Sequence, residues 1–451
     1  MEIQQVHIAR RISQIKYAIR DLQAFAEKVK AKGMDIYELN IGDPGKASAG
    51  FHPPKQIKLG LIEAAKHDFT GYAPAQGDPM LRHIIAKREN VSPDRVFVCI
   101  GLSEGIDHLA MSLVNEGESI LVPSPGYPLY STVINALFAK AVFYKTDERF
   151  YPDLKDIEQK IDPTTQALVA INPNNPTSII YPPTLLKKIL DMAAERNLLV
   201  FTDEIYDLLG FKGEKPVNLH TLNPDATIIR GSGFSKNFIY PGMRIGYLVL
   251  HGEGTNTMQL PLTKLGNRRL AAGTWEHNLA AWVGLKVYDN EEKGLDLKTD
   301  LYEEYNEIKK TMDQSERDRY EKFIKSIVAA LTEMMSGKEK YISMHEHLEN
   351  FKRELAVRQN IVYQDLNGKN GINLVEPQAA FYAFPQIDVP AFKDDMQFAL
   401  KLLETTGVFV VPGMGFSPIL EGKYFRMVTL EKPERLHEAN EKILSFIQDN
   451  G

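Results

Sequence analysis

Short runs of β-branched and aromatic residues alternate with helical patterns through the middle of the chain. Residues 95–100, 119–122, 141–144, 167–171, 198–202, 227–229 and 246–250 are brief, nearly continuous apolar runs and read as strands. Residues 104–114, 130–137 and 185–196 repeat apolar side chains at helical spacing and read as helices. Strands separated by helices predict an α/β fold, with a mostly parallel sheet covered on both faces. In such sheets ligands collect at the carboxyl ends of strands.

The pattern changes after the last of these strands. Residues 289–340 are dense in Lys, Glu and Asp, with Tyr302, Tyr305, Ile308 and Met312 at helical spacing. They read as a charged helical insertion that is mostly solvated. Beyond residue 350, short strands at 380–384 and 408–411 alternate with helices at 394–405 and 433–448, which predicts a smaller α+β unit. The expected organisation is residues 1–50 as the N-terminal part of the small domain and 51–288 as the large domain. Residues 289–340 follow as the insertion, and 341–451 as the rest of the small domain.

Composition narrows the class. A chain of 451 residues is too long for one compact core, so two domains are expected. A net charge of −6 argues against a nucleic-acid partner, which needs a basic face. The one cysteine, Cys99, lies inside an apolar run and reads as a buried strand thiol. The N-terminus carries Glu2, Arg10 and Arg11 rather than a secretory pattern. No apolar run approaches membrane-spanning length, and a cytoplasmic location is expected.

The chemistry sits just after predicted strand ends. Lys236 closes the string GSGFSK at 231–236, and Arg244 follows in PGMRIGY at 241–247. A lysine amine can condense with an aldehyde, and an arginine offers a charge-assisted fork to a phosphate. NPNNPT at 172–177 forms a polar turn, and FTDEIY at 201–206 places Asp203 at a strand end. GLSEG at 101–105 joins a strand to a helix N-terminus, where small residues and the helix dipole favour an anion. Each string alone has a plain structural reading: a surface lysine, an Asn/Pro turn, a helix cap, a tight turn.

Taken in order, these motifs resemble the class I/II aminotransferases, pyridoxal-phosphate enzymes of fold type I. The resemblance covers nearly the whole chain except 289–340. It implies a large domain with a mostly parallel seven-stranded sheet between helices, and a smaller domain built from both chain ends. It implies pyridoxal 5'-phosphate held covalently by Lys236, with Asp203 on the pyridine nitrogen and Asn175 and Tyr206 on the phenolic oxygen. Ser103, Glu104, Ser235 and Arg244 would form the phosphate cup. Ser178 stands where the family usually has Gly, and Gly233 where it often has Ser. Tyr127, in PSPGYP at 123–128, matches the aromatic that stacks on the cofactor. Tyr72, in TGYAPAQG at 70–77, matches a tyrosine lent to the neighbouring subunit, which implies a homodimer with shared sites.

Arg426, in YFRM at 424–427, matches the arginine that grips the substrate carboxylate, and Gly42 matches the facing loop. The opening YAIRD at 17–21 and the GFSK string bring the chain nearest to the alanine aminotransferase subgroup, in which Tyr17, Arg20 and Tyr127 approach the substrate. Arg20, or Arg269 behind it, is the candidate for a distal carboxylate. The implied reaction moves an amino group between an L-amino acid and a 2-oxo acid by a ping-pong route. Alanine with 2-oxoglutarate is the preferred pair, and aspartate or an aromatic amino acid the alternative donor. A lyase on the same fold would keep Lys236, Asp203 and Arg244. A DNA-binding regulator would need a basic surface. A metal enzyme would have to use His345 and His347, whose spacing does not put them on one helix face, so no catalytic metal is expected.

Overall fold

The computed structural model describes residues 7–15, 22–213, 215–268, 272–337 and 340–450. Near the N-terminus lies a two-residue strand, Tyr37–Glu38 (β1). The large sheet follows, with Val96–Ile100 (β2), Ser119–Pro123 (β3), Lys140–Tyr144 (β4), Thr165–Ile171 (β5), Leu199–Asp203 (β6), Ile228–Gly233 (β7) and Ile245–His251 (β8). Its order is β2-β8-β7-β6-β5-β3-β4. β8 runs antiparallel to both neighbours and the other pairs are parallel.

The apolar runs are continuous because both faces of the sheet are covered. Along β2, Phe97 and Cys99 face one layer, with Leu102, Ile106 and Leu109 of the helix Leu102–Leu113. Val96 and Val98 face the other, with Trp282 and Val283 of the helix Trp275–Glu291. β7 runs four residues beyond its expected end at 229, and those added residues carry the chain up to Lys236.

A smaller unit contains residues from both chain ends. β1 pairs in parallel with Val408–Phe409 (β12). A second small sheet is built from Ile372–Asn373 (β9), Tyr382–Ala383 (β10), Gln386–Ile387 (β11), Val411–Pro412 (β13) and Lys423–Val428 (β14). Helices Met344–Leu366, Asp395–Thr406 and Pro433–Asn450 cover it, and Leu39, Val362, Phe398, Phe425 and Ile443 meet in its core. Among the described residues no helix is long and apolar enough to cross a membrane.

Residues 289–340 are not the solvated excursion that their charge suggested. The helix Trp275–Glu291 runs through the expected boundary at 288. Helices Leu297–Ile308 and Gln314–Ser336 then bury Tyr305, Ile308, Tyr320, Phe323, Ile324, Ile327 and Leu331 in the core that holds Trp282. Part of the charge is also interior. Lys286, buried on the first helix, donates to Glu303 at 2.5 Å and to Glu304 at 2.8 Å. The apolar positions 320, 323, 324, 327 and 331 follow a helical period, so the signal was present under the charge.

Candidate active site

One cavity of about 570 Å³ opens where the carboxyl ends of β5 and β6 meet the small unit. It brings Gly42, Ser103, Tyr127, Asn175, Asp203, Tyr206, Ser235, Lys236, Arg244 and Arg426 onto one lining.

Lys236 lies on the short helix Phe234–Asn237, which begins where β7 ends. Its Nζ donates to the Gly42 carbonyl at 2.7 Å. Burial pulls its amine down to about 8, against the opposing pull of Asp43. Such an amine is shared between its charged and neutral forms near neutral pH, as a proton carrier must be.

Asp203 is the last residue of β6, buried to 3% exposure. One carboxylate oxygen accepts from the Tyr130 hydroxyl at 2.8 Å, the other from the Ile205 amide at 3.2 Å. Burial pushes the acid up to about 6 although both bonds favour the anion. A cationic ring nitrogen placed beside it would restore the anion, so the site is built to receive positive charge.

The opposite end is built for negative charge. Gly101 has φ +70 and ends the strand, and a Cβ there would run into the Arg244 guanidinium. Ser103 lies in the first turn of Leu102–Leu113, at the positive end of its dipole. Arg244 donates to the carbonyls of Pro241 at 3.0 Å and Ile100 at 3.3 Å, which aims its fork at the same space. Ser235 and Lys236 complete that side of the lining.

Arg426 faces Lys236 across the cavity. Its guanidinium donates to Asn175 Oδ1 at 3.2 Å and to the Asn40 carbonyl. The rings of Tyr382 and Phe416 flank it, each centroid 4.8 Å away. An arginine held flat in this way is pre-oriented for a bidentate carboxylate pair. At Gly42 an added Cβ would strike the Tyr382 hydroxyl, so glycine is required for the loop to reach Lys236.

Asn175 sits in a turn that continues into Ser178, whose φ is +58. The family's usual Gly has no cost in this left-handed region, whereas Ser costs about 1 kcal/mol. Its hydroxyl accepts from the Tyr382 amide at 3.1 Å, which offsets that cost. The turn thus keeps its shape without Gly.

The other expected residues divide. Glu104 does not line the cavity: its carboxylate turns back to accept from the Ile100 amide at 2.7 Å, capping its own turn instead of facing a phosphate. Tyr72 is 78% exposed in a groove beside Trp275, away from Lys236 in the same chain. Cys99 is buried. His345 and His347 donate from Nε2 to the backbone carbonyls of Tyr288 and His52, respectively, and are not brought together. Tyr17, Arg20 and Arg269 lie outside the described residues.

Two site residues were missed by sequence reasoning. Tyr130 holds Asp203, yet its place in a helical pattern marked it as core. Tyr382 shares a 2.8 Å hydrogen bond with the Tyr206 hydroxyl, and with burial this drives Tyr206 well above the ordinary tyrosine range. Its apolar neighbours Phe381, Ala383 and Phe384 hid it as a strand residue.

The family model described as aminotransferase class I and II matches residues 34–443. The chain belongs to this family. It is an aminotransferase, and relatives match it over nearly its whole length. A glutamate-pyruvate aminotransferase AlaA of Haemophilus influenzae is 29% identical, with 94% of this chain and 93% of that one covered. An aspartate aminotransferase of Pyrococcus horikoshii is 27% identical, with 97% and 96% covered. The solved structure of an alanine aminotransferase from Pyrococcus furiosus superposes with a TM-score of 0.81 at 30% identity, covering 98% of this chain and all of that one. The aminotransferase is thus a fold type I α/β protein with a mostly parallel central sheet.

Proposed function

We propose that this aminotransferase binds pyridoxal 5'-phosphate and moves the amino group of L-alanine to 2-oxoglutarate. The observation that carries this reading is the polarity of one cavity: Arg244 and the helix N-terminus at one end, buried Asp203 at the other, and Lys236 between them. Ser103, Ser235 and Arg244 would hold the phosphate, Asp203 the pyridine nitrogen, Asn175 and Tyr206 the phenolic oxygen, and Tyr127 one ring face. When bound, the cofactor supplies an electron sink for the substrate carbanion. Arg426 orients the α-carboxylate. With the cofactor held there, the Lys236 amine would take the Cα proton from the donor amino acid and, in the second half of the reaction, deliver a proton to the Cα of the acceptor. The hydroxyl of Tyr130 holds Asp203 in place, and the Tyr382 hydroxyl does the same for Tyr206.

Alanine as donor is supported by the names of the Haemophilus influenzae relative and the Pyrococcus furiosus structure. Aspartate is the second reading, supported by the Pyrococcus horikoshii relative. The two separate in a panel of amino donors against 2-oxoglutarate, ranked by kcat/KM. Alanine is expected to lead. Aspartate or tyrosine ahead by tenfold, about 1.4 kcal/mol of transition-state preference, would overturn the alanine assignment and leave amino transfer intact.

The working unit is proposed to be a homodimer. Tyr72 is exposed and does not line the cavity of its own chain, and Ile100, the last residue of β2 beside the phosphate end, is also exposed. Tyr72→Phe is expected to weaken cofactor retention by about 1.5–3 kcal/mol, the range for a hydrogen bond to a charged group. A fully active monomer in sedimentation would contradict the shared site.

A further inference from the structure

We propose that Glu89, His220 and His251 form a binding site for a borderline divalent cation such as Zn²⁺, outside the catalytic cavity. The three residues come from separate elements: the end of the helix Pro79–Glu89, the 3₁₀ turn Leu219–Thr221, and the last residue of β8. Glu89 Oε2 lies 3.7 Å from His220 Nδ1 and 3.5 Å from His251 Nε2, and all three atoms fall within 4.8 Å of one another. Zinc bonds of about 2.0–2.1 Å in a tetrahedron put neighbouring donors about 3.3 Å apart. The two Glu89 spacings are slightly wider than that and longer than an ordinary hydrogen bond.

The three atoms are also shielded from water, and none has a hydrogen-bond partner among the described residues. Orphaned polar atoms are costly singly. Three that converge on one point share a single remedy, a cation between them. Imidazole nitrogens with one carboxylate suit Zn²⁺ and its neighbours, not Mg²⁺. A water would take the fourth position.

Charge points the same way. The other Glu89 oxygen accepts from Arg230 at 2.8 Å, and Arg230 also pairs with Glu204 at 2.9 Å and Asp207 at 2.5 Å. Three carboxylates share one buried guanidinium, and a dication at Glu89 would balance the excess. One adjustment is required. The two imidazole rings are stacked, 3.9 Å apart and parallel within 3°. A metal lies in the plane of the ring that binds it, so one ring must turn out of the stack. His220, on a short turn and the more exposed of the two, is that ring.

β8 starts with Ile245 on the cavity side and ends with His251 at the far edge of the sheet, so the cation would tie elements together without touching substrate. The test uses the full chain with its cofactor, stripped with a chelator and titrated with ZnCl₂ by calorimetry. The expected result is one Zn²⁺ per chain and a rise in Tm of at least about 3 °C at a hundredfold excess over Kd. His220→Ala is expected to weaken Zn²⁺ binding by about 100-fold or more and remove the rise in Tm. MgCl₂ should produce neither effect. His251→Gln serves as a second variant if the first is poorly folded. No stoichiometric Zn²⁺ in the parent protein, or equal affinity in a folded variant, would overturn the site.

Discussion

Lys236→Ala is expected to lower turnover by about 10²–10⁴-fold through lost proton transfer alone, equivalent to about 2.7–5.4 kcal/mol of barrier. The loss follows from geometry, because no other lysine lines the cavity of the described residues. Lys236 is held at 2.7 Å from the Gly42 carbonyl, on a loop that glycine alone allows to approach. It owes its lowered basicity to burial between Asp43 on one side and Arg426 and Arg244 on the other. Alanine removes the amine without disturbing the apolar core, so the variant should melt near the parent. Borohydride reduction followed by peptide mapping checks the assignment. The parent should carry the cofactor on the peptide containing Lys236, and the variant should carry none. Reduced cofactor on another lysine of the variant would show that the residue is misassigned.

Asp203→Asn is expected to reduce turnover by about 10²–10³-fold while the protein still folds and binds cofactor. The substitution keeps the shape of the side chain and its bond from Tyr130 in reach, but removes the charge. Without the anion the ring nitrogen loses its proton more readily, and the carbanion loses its stabiliser. The same account gives a pH effect with a definite sign. Asp203 is pushed up to about 6 in the protein alone, so it is ionised above that pH and neutral below it. Cofactor affinity of the parent should therefore fall as pH drops through about 6, and the Asn variant should lack this step. Fluorescence titration of cofactor at several pH values measures both. Near-normal turnover in the variant would reduce Asp203 to the helix-cap role its position also permits.

How far the sequence reached can be judged from particular residues. The strands of the large sheet were legible because full burial on two faces leaves them continuously apolar. Several site motifs were legible because they lie at strand ends, where the chain must turn polar, as GLSEG after β2, NPNNPT after β5 and Asp203 at the end of β6 do, and all of them because they occur in a fixed order. The helices at 297–336 were read as helices from their apolar spacing, but the density of charge around them hid that their apolar face is buried in the core that holds Trp282. Glu104 was misread for a local reason: its side chain bonds the backbone four residues earlier, which spacing alone does not reveal. Tyr130 and Tyr382 were missed because a buried tyrosine looks like core until its hydroxyl partner, 73 or 176 residues away, is known. The cluster of Glu89, His220 and His251 was invisible for the same reason, its members joining only when β8 returns antiparallel beside β7.

The central claim is that the amino group passes through the protein from one acid to another. The most direct measurement mixes the cofactor-loaded protein with excess ¹⁵N-labelled L-alanine and no oxo acid, then adds 2-oxoglutarate after removing free alanine. The account predicts about one pyruvate per subunit in the first step, with the label retained by the protein, and labelled glutamate in the second. Free labelled ammonia in the first step, or continued pyruvate formation without an acceptor, would contradict it and point to a lyase.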